Sequence, residues 1–382
     1  MKHQTIEIFL FIDALGWKIV NDHHFMEELF PHRKRISMQF GYSSSAIPTI
    51  LSGKTPSEHG HLGLFRFAPE SSPFKLLSRF AWLFKPASFW NRGRVRHHLS
   101  KLLKKIYGFT GYFHLYRMPI WKLQYTDYCE KQNLFVAGGM GEIENLYDFL
   151  SKKRIIFHIS DWHLSDEENY SAAEKAIDDG KNFLFVYTAS LDGLLHDKVK
   201  EPSEVGTKLS GIRKNIEHLY KKAEDSAETV HFTVISDHGM TPLAGVADVM
   251  KKIEESGLVF GKDYGACFDS TMARFYYLKE GSKPEIEGRM KSFPGHFLSR
   301  EEELKYGIYR SDRAFGDAIF LLDAGIQIVP SDMGEKPLNG MHGFSPEDEH
   351  SFAAILSNEP IPETIAAVSD YYRFMTERAE TL

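Results

Sequence analysis

The sequence predicts an α/β fold, a three-layer sandwich around a largely parallel central sheet. Two observations predict it. Four short apolar runs, "IEIFLFID" from Ile6, "RIIFHIS" from Arg154, "NFLFVYTAS" from Asn182 and "VHFTVISD" from Val230, each end in polar or small residues, and polar helical stretches such as 206–227 lie between them. Strands covered by helices on both faces carry such continuous apolar runs, whereas a half-exposed strand alternates. Ligands of open parallel sheets gather beyond the carboxyl ends of the strands. Asp13, Asp192 and Asp237 all fall at or just past such an end, so the three carboxylates are expected on one rim.

Each further element follows from composition. With 382 residues and 42% apolar content the chain exceeds the roughly 250–300 residues at which a single core stops growing, so one large domain with excursions is expected. A formal net charge of −6 argues against nucleic-acid binding through the whole surface, and any anion site must be local. Cys129 and Cys267 are far apart and lack metal-site spacing. Disulfide stapling and zinc–thiolate sites are therefore not expected, and two free thiols suit a reducing, cytoplasmic location. The opening "MKHQTIEIFLFIDALGW" reads as a buried first strand rather than a signal peptide, because Glu7 interrupts it and Asp13 ends it. No apolar run approaches the roughly 18 residues that span a bilayer.

Between Ser71 and Tyr125 the composition changes. This window has no Asp or Glu but contains Lys75, Arg79, Lys85, Arg92, Arg94, Arg96, Lys101, Lys104, Lys105, Arg117 and Lys122, among many Phe, Trp and Tyr. It reads as a helical insertion, a cap subdomain 71–125 in a domain formed by 1–70 and 126–382. One reading makes it a lid that draws an anionic substrate or lipid headgroup inward, with peripheral membrane association. The other gives its aromatics an internal core and its basic residues a solvated face. Segment 255–340 suggests further strands and a second excursion, and "PETIAAVSDYYRFMTERAE" suggests a closing helix.

The chemistry lies in clusters that are individually weak. A lone Asp13 at a strand end is most often a cap or turn former. Ser43 opens "SSSAIPTILSG", which predicts a helix with Pro48 in its first turn or at a bend. A hydroxyl at a helix N-terminus feels the positive end of the macrodipole, and of three adjacent serines one is expected to cap while another reacts. In "LDGLLHD", Asp192 and His196 are four residues apart and share one helix face. "SDHGM" places Asp237 beside His238 where a strand opens into a loop, with Gly239 supplying backbone freedom, and "GMHGF" flanks His342 with two glycines. Three carboxylates and three imidazoles suit a pair of divalent ions; imidazole-rich sets lean to Zn2+, and the same ligand types admit Mn2+.

Taken in order, these motifs resemble the alkaline phosphatase superfamily, nearest the type I phosphodiesterase/nucleotide pyrophosphatase family. That family has an early strand-end Asp, a Thr or Ser ten residues before the Gly of a "TG" pair, a DxxxH, a DHG and a late HG. Here Ser43 precedes Gly53 by ten, and "SGKTPSEHG" resembles the family's "TGxxPxxHG". The resemblance implies an alkaline-phosphatase-like fold. It also implies that Asp192, His196 and His342 hold one metal, and that Asp13, Asp237 and His238 hold the other with Ser43. It further implies that Ser43 attacks phosphorus to give a phosphoseryl intermediate, on a small phosphate-ester or nucleotide substrate. The chain departs at Ser45, where relatives often have Pro, and near Gly63 and Leu64, where they have Asn. Arg66 is then a candidate substrate contact by a bidentate pair. A phosphomonoesterase or phosphomutase acting on a sugar or lipid headgroup phosphate is the alternative within the superfamily.

Overall fold

The computed structural model describes residues 3–84 and 87–382; Lys85 of the basic segment lies outside them. Four predicted runs form neighbouring strands of a six-stranded sheet. Its order is His32–Ile36, Ala353–Ser357, Ala227–Ile235, His3–Ile12, Phe183–Thr188, Phe157–Ile159. His3–Ile12 runs parallel to both neighbours, pairing Phe9 with Phe185 on one side and with Thr233 on the other. The antiparallel pairings of the sheet are those of Ala353–Ser357, with His32–Ile36 on one side and Ala227–Ile235 on the other.

The central strand shows why there are three layers. Ile6, Ile8, Leu10 and Ile12 join one core, with the helices Asp166–Asp178 and Pro202–Ser226. Phe9 and Phe11 join another, with the helices Ser43–Ser52, Leu146–Lys153 and Tyr371–Ala379. Side chains alternate across a strand, so an apolar run without alternation buries both faces. The predicted helix 206–227 is observed as Pro202–Ser226, and the closing helix is shorter than its motif, beginning at Tyr371.

Segment 255–340 supplies a second, antiparallel sheet in the order Tyr264–Phe268, Met272–Tyr277, Ala318–Leu322, Gly295–Phe297, with its own core. The short strands Phe65–Phe67 and Thr126–Tyr128 pair antiparallel and bracket the acid-free segment. That segment contains helix Gly93–Tyr107 and a cluster in which Phe74, Leu103, Phe113, Leu115 and Leu123 are buried. Part of its aromatic content is thus internal packing. Among the described residues, no helix is long and apolar enough to cross a membrane.

Candidate active site

Three adjacent parallel strands deliver the acidic residues to one place. Asp13 directly follows His3–Ile12, Asp237 and His238 follow Ala227–Ile235 after one residue, and Phe183–Thr188 leads into helix Ser190–Lys198 with Asp192 and His196. Because these strands are hydrogen-bonded neighbours pointing the same way, their carboxyl ends are adjacent without any long-range accident. His342 arrives differently: Gly340–Met341 pairs with Thr241–Pro242, which ties its loop to the one carrying His238.

The side chains converge. Ligand atoms of Asp192, His196 and His342 lie within 4.8 Å of one another, as do those of Asp13, Asp192 and His238. Asp192 belongs to both groups, its Oδ2 3.4 Å from His196 Nε2 and its Oδ1 3.6 Å from His342 Nε2. Asp237 Oδ2 is 3.1 Å from His238 Nε2, and the rings of His238 and His342 stack at 3.8 Å. Asp237 and His238 are fully buried, and Asp13 is 4% exposed.

Backbone contacts aim the imidazoles. His238 Nδ1 lies 2.8 Å from the Gly239 carbonyl and His196 Nδ1 2.9 Å from that of Gly340, so each Nδ1–H donates there and Nε2 faces the cluster. Asp237 Oδ1 accepts from the backbone N–H of Ala14 and His238, and Tyr187 donates its hydroxyl to Asp13 Oδ2 at 2.9 Å. The remaining oxygens, Asp13 Oδ1, Asp192 Oδ1 and Asp237 Oδ2, are buried without a hydrogen-bond partner among the described residues. Buried carboxylate oxygens left bare are costly unless a cation completes them. The donor set therefore fits divalent metal binding.

Crowding and burial shift the protonation of these groups. Burial, followed by repulsion from Asp237 and Asp192, holds the Asp13 carboxyl well above the usual carboxylate range. Burial likewise pushes Asp237 up to about 7. Burial opposes ionisation of Asp192 too, but the hydrogen bond from His196 and the His342 ring beside it outweigh that and hold it low. Burial pushes His342 well below its ordinary value.

Ser43 is the first residue of helix Ser43–Ser52, with its Oγ 3.1 Å from His238 Nε2. No serine caps this helix: the N-cap is Tyr42 and makes no side-chain cap bond. Ser45 Oγ instead donates to the carbonyls of Phe40 and Tyr42, while Ser44 Oγ is buried without a partner. The expected serine cap is absent because the three serines occupy the first three helical positions and Tyr42 the N-cap. Pro48 is the sixth helical residue, beyond the first turn, so the helix loses the bond to the Ser44 carbonyl and continues.

The glycines act by two routes. Gly239 is required by close approach, since a Cβ there would lie 2.1 Å from the His350 carbonyl oxygen. Gly343, at φ +89° with the Tyr42 ring 2.6 Å from any Cβ, needs both freedom and space. Tyr42 is in turn held by Thr271, whose hydroxyl donates to the Gly343 carbonyl.

A cavity of about 640 Å3 opens over the cluster. Its wall includes Asp13, Ser43, Asp192, His196 and His342, and also Tyr112, Tyr116, Phe135, Trp162, Glu130 and Lys336. None of this second set was singled out from sequence; only the aromatic excess of 71–125 pointed toward Tyr112 and Tyr116. Their hydroxyls meet at 2.5 Å. Arg66 is not on this wall: its Nη2 donates to Asp127 Oδ2 at 2.8 Å across the paired short strands.

A parallel sheet whose strand ends gather carboxylates and imidazoles beside a helix-terminal hydroxyl defines an α/β phosphohydrolase of the metal-dependent kind. The chain belongs to the type I phosphodiesterase/nucleotide pyrophosphatase family, whose sequence model matches residues 8–345. Among solved structures it is similar to murine ectonucleotide pyrophosphatase/phosphodiesterase 5, at 15% identity and a TM-score of 0.66 over 98% of this chain and 95% of that one. The human counterpart gives 14%, 0.67, 98% and 95%. An inactive form of the murine protein in complex with AMP gives 14%, 0.65, 99% and 95%. At such identities the likeness shows the fold. No curated protein sequence matches the chain significantly.

Proposed function

We propose that this chain hydrolyses phosphodiester or nucleotide pyrophosphate bonds through a phosphoseryl intermediate on Ser43. The observation that carries the reading is the position of Ser43 Oγ, at a helix N-terminus, 3.1 Å from His238 Nε2 and on the wall of the cavity that holds the acid–imidazole cluster. Asp192, His196 and His342 would hold one divalent ion, and Asp13, Asp237 and His238, with Ser43, another; Zn2+ suits the three imidazoles. Bound there, such ions supply Lewis-acid polarisation of phosphoryl oxygens and charge neutralisation.

The protein's own groups do the rest. Helix Ser43–Ser52 presents its positive end to the phosphoryl group. Attack by Ser43 Oγ forms the serine–phosphorus bond and breaks the bond to the leaving oxygen; the serine proton passes to solvent and the leaving oxygen takes one up as it departs into the cavity. Water then cleaves the serine ester, releasing the phosphate product and restoring the serine hydroxyl. Tyr187 fixes the Asp13 carboxylate, and the Gly239 and Gly340 carbonyls fix the two imidazoles. Tyr112, Phe135 and Trp162 offer aromatic faces to the leaving group, and Lys336 offers a positive charge for a second phosphate. The AMP bound to a structural neighbour supports a nucleotide on that side.

The test is turnover of bis-p-nitrophenyl phosphate, p-nitrophenyl phosphate and a p-nitrophenyl nucleotide ester with added zinc. Diester cleavage should exceed monoester cleavage, and Ser43→Ala should lower kcat on the order of 10⁴-fold or more. Turnover untouched by that substitution, or monoester preference, would remove the proposal.

A further inference from the structure

Half of the exposed large apolar side chains among the described residues, eight of sixteen, fall in segment 71–125, about one-seventh of the chain. Trp82, Leu76 and Ile106 are 69%, 63% and 62% exposed, and Phe80, Leu102 and Trp121 are about half exposed. The internal cluster accounts for Phe74, Leu103 and Phe113 but leaves these outside it.

Helix Gly93–Tyr107 shows how apolar and basic groups are arranged. Its buried residues are Arg96, Ser100 and Leu103. At 100° per residue Arg94, His98, Lys101 and Lys105 form a stripe on the opposite side, flanked by Leu102 and Ile106. All six are exposed. Other basic residues of the segment are committed inward: Arg96 donates to the Met118 carbonyl, Lys122 pairs with Asp332 and Arg117 with Glu335. Arg94, Lys101 and Lys105 make no ion pair with any described residue, and the segment contains no acid to neutralise them.

We propose that segment 71–125 docks this protein peripherally on an anionic lipid bilayer, with Arg94, Lys101 and Lys105 over the headgroups and Leu102 and Ile106 at the acyl boundary. Charge complementarity selects this partner. A second copy of the same acid-free face would repel it, and a nucleic-acid backbone offers nothing to aliphatic side chains beside the basic stripe. Interfacial helices combine a basic face with exposed apolar groups, and each basic side chain near such a surface strengthens attachment. Tyr112 and Tyr116 of the same segment line the catalytic cavity, so docking would place that cavity next to the membrane.

The experiment is co-sedimentation of the full chain with phosphatidylcholine vesicles, with and without phosphatidylserine, without substrate or metal, so that it is independent of hydrolysis. Binding is expected to the phosphatidylserine vesicles only, and to weaken with salt. Joint replacement Arg94→Gln, Lys101→Gln, Lys105→Gln should lower partitioning on the order of a hundredfold. Leu102→Ser with Ile106→Ser should lower it about tenfold, and both variants should keep wild-type circular dichroism. As a second readout, brominated acyl chains should quench tryptophan fluorescence, less so in Trp82→Phe. No vesicle binding, equal binding to neutral vesicles, variants that bind as wild type, or preferential binding to an RNA oligonucleotide would each overturn the proposal.

Discussion

One strand carries two buried acids that meet opposite fates. Glu7, within His3–Ile12, is fully buried; its Oε1, like Asp13 Oδ1, has no hydrogen-bond partner among the described residues, but its Oε2 takes a hydrogen bond from Arg378 at 3.0 Å and lies 3.0 Å from His231 Nδ1. Asp13, directly after the same strand, has no Lys or Arg partner among the described residues; its close neighbours are Asp192, Asp237, His238 and Tyr187. The protein supplies its own cation at the first position and withholds one at the second. A buried acid answered by protein is architecture, while a buried acid left bare beside other acids is a place kept for something else.

The contrast can be attacked most forcefully at the bare end. Asp237→Asn should lower kcat by about 10³-fold and weaken metal uptake, read by elemental analysis, because the amide cannot supply a second anionic oxygen. Glu7→Gln should leave metal content unchanged but destabilise the fold by about 1–3 kcal/mol in denaturant melts, a value reduced because Arg378 and His231 are partly solvated. In the metal-free protein Asp13→Asn should have the opposite sign to Glu7→Gln and raise Tm, since it removes a crowded charge. If both amides destabilise the metal-free protein alike, the distinction between the two ends fails.

A pH profile sharpens the same point with a smaller effect. Asp237, pushed up to about 7, and Asp13, also raised, bind protons in the folded state that the unfolded chain has already released above its carboxylate value of about 4. The contribution of these two groups to the stability of the folded metal-free chain therefore falls as pH rises from about 4 to about 7, whereas His342, held well below its ordinary value, contributes the opposite slope. Relative to Asp13→Asn, which lacks one of the two groups, the wild-type Tm should drop by about a few degrees across that window. Metal-loaded protein should show the reverse slope, because ligand deprotonation accompanies binding. The smallest effect is expected for Tyr187→Phe, which removes one hydrogen bond to Asp13 and should cost roughly fivefold in kcat/KM, about 1 kcal/mol.

Much of this rim was legible in the chain because it depends on local rules. Apolar runs that end in Asp set the strand ends, and the four-residue spacing of Asp192 and His196 set a helix face. Parallel pairing of neighbouring strands then required the ends to meet. What the chain did not disclose depends on distant partners. Arg66 resembled an anion contact until Asp127, 61 residues later, was seen to hold it across a strand pair. One of the three serines at 43–45 was expected to cap the helix, but all three fall inside it and Tyr42 takes the N-cap, while a ring 195 residues away faces the Ser43 hydroxyl. The wall of Tyr112, Trp162 and Lys336 has no signature as a unit, being assembled from three segments distant in the chain. Strand Ala353–Ser357 was missed because it is short and antiparallel, and its apolar residues match no helical stretch that would announce a crossover.

The tether between Gly340–Met341 and Thr241–Pro242 has a consequence for biosynthesis. A ribosome releases Asp13 and Ser43 early, yet the imidazole at position 342 emerges only when most of the polypeptide has been made, and the sheet's antiparallel strand follows still later. Under the proposed function, a nascent chain stalled before that point would carry Asp13, Ser43, Asp192, His196, Asp237 and His238 but lack one of the three imidazoles assigned to the metals.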